Sequence, residues 1–265
     1  VYARPLDLPS PYVAEWVRQK ASGIAKDLYT GGYRIETTID SALQGEAIRA
    51  LRRGLIKYDE NHGYRGREGQ LSGTVFEELD SFSRLFSQTK SIAPVSLTVP
   101  EGLGERALSG KRIVGGLHPG IVIRSSVESA LILMQDNQLY FLELKDSKWA
   151  RQYIDVDTKG PVPKSFSEIL SAGDLIRLKK GTNDQWLLSQ EPEIQGAIVA
   201  LDPSNGEIKA LVGGFDFNQN QYNHAVQSAR QPGSGFKPFI YSAAIENDIN
   251  ASQIFMDAPL VFEDR

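Results

Sequence analysis

Between residues 120 and 190 the chain returns repeatedly to one pattern, a short apolar run closed by a polar turn: GIVIRSSV, SALILMQ, QLYFLEL, DLIRLKK and QWLLSQ. Runs this short, several at roughly ten-residue spacing, suit a small antiparallel barrel or sandwich. Asp136-Asn137 and Ala172-Gly173-Asp174 supply turn chemistry between them. The pattern predicts an all-β unit over residues 65–190, and what flanks it has a different texture. Within that span, DSFSRLFSQTKSIA reads as either a helix or a loop.

Ahead of the β unit, RPLDLPSPYV is proline-rich and reads as a linker, followed by a short helix that Gly31-Gly32 would end. Residues 33–39, YRIETTI, alternate and predict a strand. Asp40 can cap a helix running to about Tyr58, with Leu43, Ala47, Leu51 and Leu55 recurring every four residues. After the β unit, IQGAIVALD and EIKALVGG predict a hairpin across Asp202-Pro203-Ser204-Asn205-Gly206. Their nearly continuous apolar runs suit central strands covered on both faces.

Composition narrows the chemistry. The 265 residues carry a net charge of −4 and 23% charged residues, which gives no reason to expect nucleic-acid binding. No apolar run approaches the ~18–20 residues that span a membrane. With no cysteine, a disulfide framework, a thiolate zinc site and a cysteine nucleophile are all excluded. His62, His118 and His224 are scattered without metal-ligand spacing. Asp216 has no second carboxylate beside it and reads as a loop residue.

Two S-x-x-K patterns remain, Ser87-Gln-Thr-Lys90 and Ser234-Gly-Phe-Lys237. Ser87 lies among polar residues, where Lys90 would be solvated and no base. Ser234 follows Gln231-Pro232-Gly233 and opens a helix whose Phe236, Phe239, Ile240, Ala243 and Ala244 fall at helical spacing. At a first helical turn, free N–H groups and the positive dipole end favour developing negative charge. Lys237, three residues on, shares the serine's face. Enclosed by apolar neighbours, its amine would be held neutral and could take the hydroxyl proton. The alternative is a capping serine beside a lysine that reaches solvent.

These residues resemble a known family. IQGAIVALDPSNGEIKALVGGFDFNQNQYNHAVQSARQPGSGFKPFIYSAAIE is similar to the start of the transpeptidase domain of class A penicillin-binding proteins. GYRIETTIDSALQGEAIRAL resembles the segment joining their glycosyltransferase to that domain, and with YDENHGYRG the likeness is to the 1A type. The resemblance implies an α+β multidomain fold: the beginning of an α/β/α transpeptidase domain with an inserted small all-β, OB-like domain. The corresponding boundaries are a linker over 1–31, a first strand and helix over 32–64, the insert over 65–190 and transpeptidase over 191–265.

What the resemblance implies about function is specific. Ser234 would attack the penultimate D-alanine carbonyl of a peptidoglycan stem peptide, and Lys237 would take its proton. An amine of a neighbouring stem would resolve the acyl-enzyme, and β-lactams would acylate the same serine. No cofactor is implied. The implied partners are stem peptides, lipid-linked precursor, β-lactams and, through the insert, outer-membrane lipoprotein activators. The implied location is the periplasmic face of the bacterial inner membrane, with the single-pass anchor and the glycosyltransferase outside this chain. The family's S-x-N and K-[ST]-G motifs have no match here: Lys180-Gly181-Thr182 has the wrong order and Ser204-Asn205 lacks the middle residue. A non-catalytic scaffold or β-lactam sensor on the same fold therefore stays open beside the enzyme. The insert, read as a separately folded unit, is expected to be dispensable for acylation.

Overall fold

The apolar runs of the middle region become strands because both faces of their sheet find cover. In the computed structural model, which describes residues 10–88 and 99–258, six antiparallel strands build this sheet: β1 (Gly69–Gln70), β2 (His118–Ser125), β3 (Ser129–Met134), β4 (Leu139–Glu143), β5 (Asp174–Lys180) and β6 (Trp186–Ser189). Their order is β1-β5-β2-β3-β4, with β6 also pairing β5. Alternation along β2 sends Val122 to an inner cluster with Ile132, Phe166, Leu178 and Leu188. Ile121 and Ile123 point the other way, onto Leu79 and Phe82 of helix α3 (Thr74–Gln88) and Leu103 of helix α4 (Leu103–Ala107). The unit is thus OB-like but carries helices as well as strands. Of the stretch that reads as helix or loop, the part through Gln88 is helix. Residues 89–98 lie outside the described residues.

A second layer surrounds helix α2 (Ser41–Asn61) and the hairpin of β7 (Ile198–Leu201) and β8 (Ile208–Val212). Asp40 caps α2 as its sequence predicts, accepting the Leu43 N–H at 2.8 Å. Ala47, Leu51 and Leu55 are buried against the hairpin, whereas Leu43 is half exposed. Gln44, fully buried, makes two hydrogen bonds with the Leu211 backbone at 2.9 and 2.8 Å, locking α2 to β8 in register. Helix α1 (Pro11–Ser22) buries Tyr12 and Val13 against Leu211, so residues 10–22 are docked structure. This helix ends at Ser22, nine residues before Gly31.

Two expectations need correction here. Residues 33–39 form no strand: Thr38 donates its hydroxyl to Ile208 O and Asp40 its N–H to Lys209 O, but no ladder develops, and Tyr33 and Ile35 stay about half exposed. The hairpin is also not covered on both faces throughout. Val199 and Leu201 of β7 are 45% and 58% exposed, because α1 and α2 reach mainly β8.

The insert does not pack apart from the rest. Its Val114 and Leu117, 3% and 1% exposed, enter the core formed by Leu51, Leu55, Val212 and Phe215. An ionic cluster closes the junction. Asp59 and Glu60 sit buried at the C-terminal end of α2, where the helix dipole disfavours carboxylates. Arg65 meets Asp59 at 2.9 Å, and Lys179 of β5 pairs with Glu60. Arg177 is buried between Glu68 at 2.8 Å and Glu191 at 2.7 Å. Buried charges persist only when paired in this way. The insert therefore supplies both apolar filling and counter-charge to the helix–hairpin layer.

The described residues divide after Gln227 into two units, the second beginning at Ser228. Its helix is α5 (Lys237–Glu246), preceded by a 3-10 turn over Gly233–Phe236. At the C-terminal end Asn247 donates its side-chain amide to Ala243 O at 2.7 Å, and Asp248 turns left-handed at φ 61°. Among the described residues no helix is long and apolar enough to cross a membrane.

Candidate active site

Gly233 makes the turn possible. Its φ of +52° lies where a Cβ is disfavoured, and it lets the chain reverse directly before Ser234. Gly235 donates its N–H to Pro232 O at 3.0 Å, and Lys237 donates its N–H to Ser234 O. These are i→i+3 bonds, and in a 3-10 turn residues three apart eclipse one another. Ser234 and Lys237 therefore stand on one face, one above the other. Neither the 3-10 turn nor α5 carries a side-chain cap bond, so Ser234 is not serving as the capping serine of the alternative reading.

The surroundings differ from the expected apolar enclosure. Helix α5 has no buried residue. Phe236, Phe239 and Ile240 are 51%, 67% and 53% exposed, and the two phenyl rings contact each other at 5.5 Å. Ser234 and Lys237 are exposed as well. A helix apolar on all sides is a helix made to be covered. The reading of α5 as buried is thus not met within these residues.

The segment leading to the turn is firmly held. Asp216 accepts the Asn218 N–H at 2.9 Å and the Gly115 N–H of the insert at 2.8 Å, which gives this carboxylate a structural task. Tyr12 donates its hydroxyl to Asn220 O at 2.6 Å. Burial, and then the nearby Asp216 charge, push that phenol up to about 12, so it stays a donor through the physiological range. His224 donates its N–H to Gly213 O, and Gln227 its N–H to Asn223 O. Sequence reasoning missed the long-range part of this anchoring, because Gly115 and Tyr12 lie 101 and 208 residues from their partners.

The other candidates form no site among the described residues. Ser87 lies in the last turn of α3 and Lys90 lies outside the described residues. His118 packs against Trp186 and His62 against Tyr58. Among the described residues no three His, Cys, Asp or Glu side chains cluster in a way that could hold a metal ion.

Comparison with known proteins agrees with this layout. The penicillin-binding protein OB-like domain family matches residues 92–194, and the penicillin-binding protein transpeptidase domain family matches residues 196–264. The chain belongs to the penicillin-binding proteins, and carries their OB-like domain followed by transpeptidase sequence. Within that class its similarity is to penicillin-binding protein 1A. It is 37% identical to that of Pseudomonas aeruginosa over 259 residues, 97% of this chain and 28% of the relative. To that of Escherichia coli K12 it is 32% identical, covering 98% of this chain and 28% of the relative. The crystal structure of penicillin-binding protein 1A from Haemophilus influenzae matches with a TM-score of 0.67 at 28% identity, covering all of this chain and 35% of that one. The chain thus spans a little over a quarter of the length of these curated relatives.

One expectation follows from the bare α5. Residues 1–265 expressed alone should not react with a fluorescent penicillin. The family's S-x-N and K-[ST]-G motifs, which would complete such a site, have no match in this sequence. Each exposed phenylalanine or isoleucine also forgoes up to ~1.5–3 kcal/mol of burial that would otherwise fix the helix. Stoichiometric labelling of the isolated chain would show a self-contained site.

Proposed function

We propose that this chain is part of a peptidoglycan D,D-transpeptidase, within a bifunctional cell-wall synthase, and that it contributes the nucleophile and its base. One observation carries the reading: the 3-10 turn that sets Ser234 and Lys237 on one face lies inside the stretch similar to penicillin-binding transpeptidase domains. The hydroxyl of Ser234 attacks the carbonyl of the penultimate D-alanine while Lys237 takes its proton. The C–N bond breaks, D-alanine leaves with a proton, and a stem-peptide amine then attacks the acyl-enzyme ester. β-Lactams acylate the same hydroxyl by ring opening. The domain boundaries at 31, 64 and 190 stand as functional divisions, although the hairpin of the fourth segment shares cores with each of the three before it. The synthase acts at the periplasmic face of the bacterial inner membrane on lipid-linked precursor, and its OB-like domain is the surface offered to lipoprotein activators.

In the full-length protein, Ser234→Ala is expected to abolish cross-linking of lipid-linked peptidoglycan. The fold should survive, since the hydroxyl caps no helix and its loss costs at most ~0.5–2 kcal/mol. Cross-linked muropeptides counted after digestion provide the measurement. Cross-linking retained by the alanine variant would refute the assignment, whereas labelling by penicillin without any cross-linking in the parent would favour a sensor.

A further inference from the structure

The OB-like barrel is not closed by hydrogen bonds. Strand β4 ends the sheet on one side, and β6 lies along the outer edge of β5 on the other. The sheet curls until these two strands meet, yet no ladder joins them among the described residues. Side chains fill the seam instead. Tyr140 of β4 meets Trp186 of β6 edge-on, with ring centroids 5.9 Å apart. His118, the first residue of β2, meets Trp186 at 4.8 Å. Lys180 of β5 sets its ammonium over the same indole at 4.3 Å. Trp186 is thus the common wall of the seam. Its indole N–H is buried without an acceptor, so ring contact and not a hydrogen bond from the indole holds it there.

The charges around His118 make that contact depend on its proton. His118 stands opposite Leu178 on β5, so Lys180, two residues on, shares its face. Lys179 turns to the other face and pairs with Glu60. The groups that face the imidazole are therefore Lys180, itself paired with Asp184 at 2.9 Å, and Asp136 of the β3–β4 turn, which accepts the Tyr140 hydroxyl at 3.4 Å. Burial, and then the Lys180 charge, hold the imidazole below its ordinary value of 6.5, while Asp136 pulls the other way. A closed seam thus favours the neutral ring, and an open one lets the ring take its proton from water at the ordinary value. The contribution to closure is complete above 6.5 and is lost as pH falls through the lowered value.

We propose that His118, Tyr140 and Trp186 form an acid-sensitive latch on the seam of the OB-like barrel, and that a proton on His118 parts β6 from β4. Parting leaves two strand edges free, and a free edge is a template for pairing with another chain. It also slackens β6, whose Ser189 donates to Glu60 at 3.2 Å and so ties the barrel to the end of α2. The effect has a ceiling. At one pH unit below the ordinary histidine value, protonation of the open state favours opening by at most about ten-fold.

Amide hydrogen exchange of the full-length protein at pH 5.5 and pH 7.5, corrected for the pH dependence of the intrinsic rate, tests the latch. Exchange across 139–143 and 186–189 is expected to be faster at pH 5.5, by as much as about ten-fold, with residues 131–133 of β3 unchanged. His118→Gln, neutral at both pH values, is expected to bring that ratio to one. Lys180→Gln, a change at the surface that removes the like charge, is expected to lower it. A ratio of one in the parent would overturn the proposal. So would equal acceleration across 131–133, which marks unfolding of the whole domain, or a full acid response retained by His118→Gln. If His118→Gln is unprotected already at pH 7.5, Lys180→Gln decides alone: a reduced ratio supports the latch and an undiminished one refutes it.

Discussion

Excising residues 67–192 from the full-length protein, with Gly66 joined to Glu193, is expected to unfold the helix–hairpin layer and abolish penicillin labelling. Chain closure is not the obstacle. Arg65 already bonds the Gln190 side chain and meets Glu193 at 3.1 Å, so the two ends are adjacent. The loss lies in the core. Removing Val114 and Leu117 takes two fully buried side chains away and bares parts of Leu51, Leu55 and Phe215. A buried leucine truncated to alanine alone costs ~2–5 kcal/mol. Several such losses, summing to about 5–10 kcal/mol, equal the whole stability of an ordinary domain. Glu60 would also lose Lys179 and Ser189, the partners that hold it at the end of α2. Circular dichroism and urea unfolding of the excised protein check this. A folded excision product that labels at the parent rate would show that the shared core is incidental.

Replacing Lys237 with arginine is expected to be nearly as damaging as replacing it with alanine. Arginine keeps a positive charge beside Ser234 but does not give up its proton at working pH, so it cannot accept one. A positioned general base contributes roughly 10²–10⁴-fold. Acylation rates of the full-length Lys237→Arg and Lys237→Ala proteins should therefore both fall by about that factor. If the lysine acted only by its charge, arginine would recover most of the rate.

How much of this was legible depended on whether the cause was local. The strands of the OB-like domain could be read because their runs end at Asn137, with φ 63°, and Gly173, with φ +83°, in backbone conformations few other residues accept. Asp40 announced α2 because a cap acts over three residues. The segment Lys111–Leu117 was not legible. KRIVGGL has no period, and what makes Val114 and Leu117 core residues is a helix sixty residues before them and a strand a hundred after. Residues 33–39 failed in the opposite sense: their alternation is real, but a strand needs a partner along its length, and β8 meets them only near Thr38 and Asp40. At the site, the Ser234–Lys237 spacing was legible and its 3-10 geometry was not. An i+3 pair suits either helix type, and the choice is made by Gly233 and Pro238 together. The cover over α5 is a tertiary property, and nothing in residues 234–246 could supply it.

The most direct measurement is the site of the covalent adduct. Full-length protein treated with a β-lactam, digested and sequenced by mass spectrometry should carry one adduct, on the hydroxyl of Ser234, and that adduct should vanish in Ser234→Ala. An adduct on Ser87, or on any residue other than Ser234, would contradict the account.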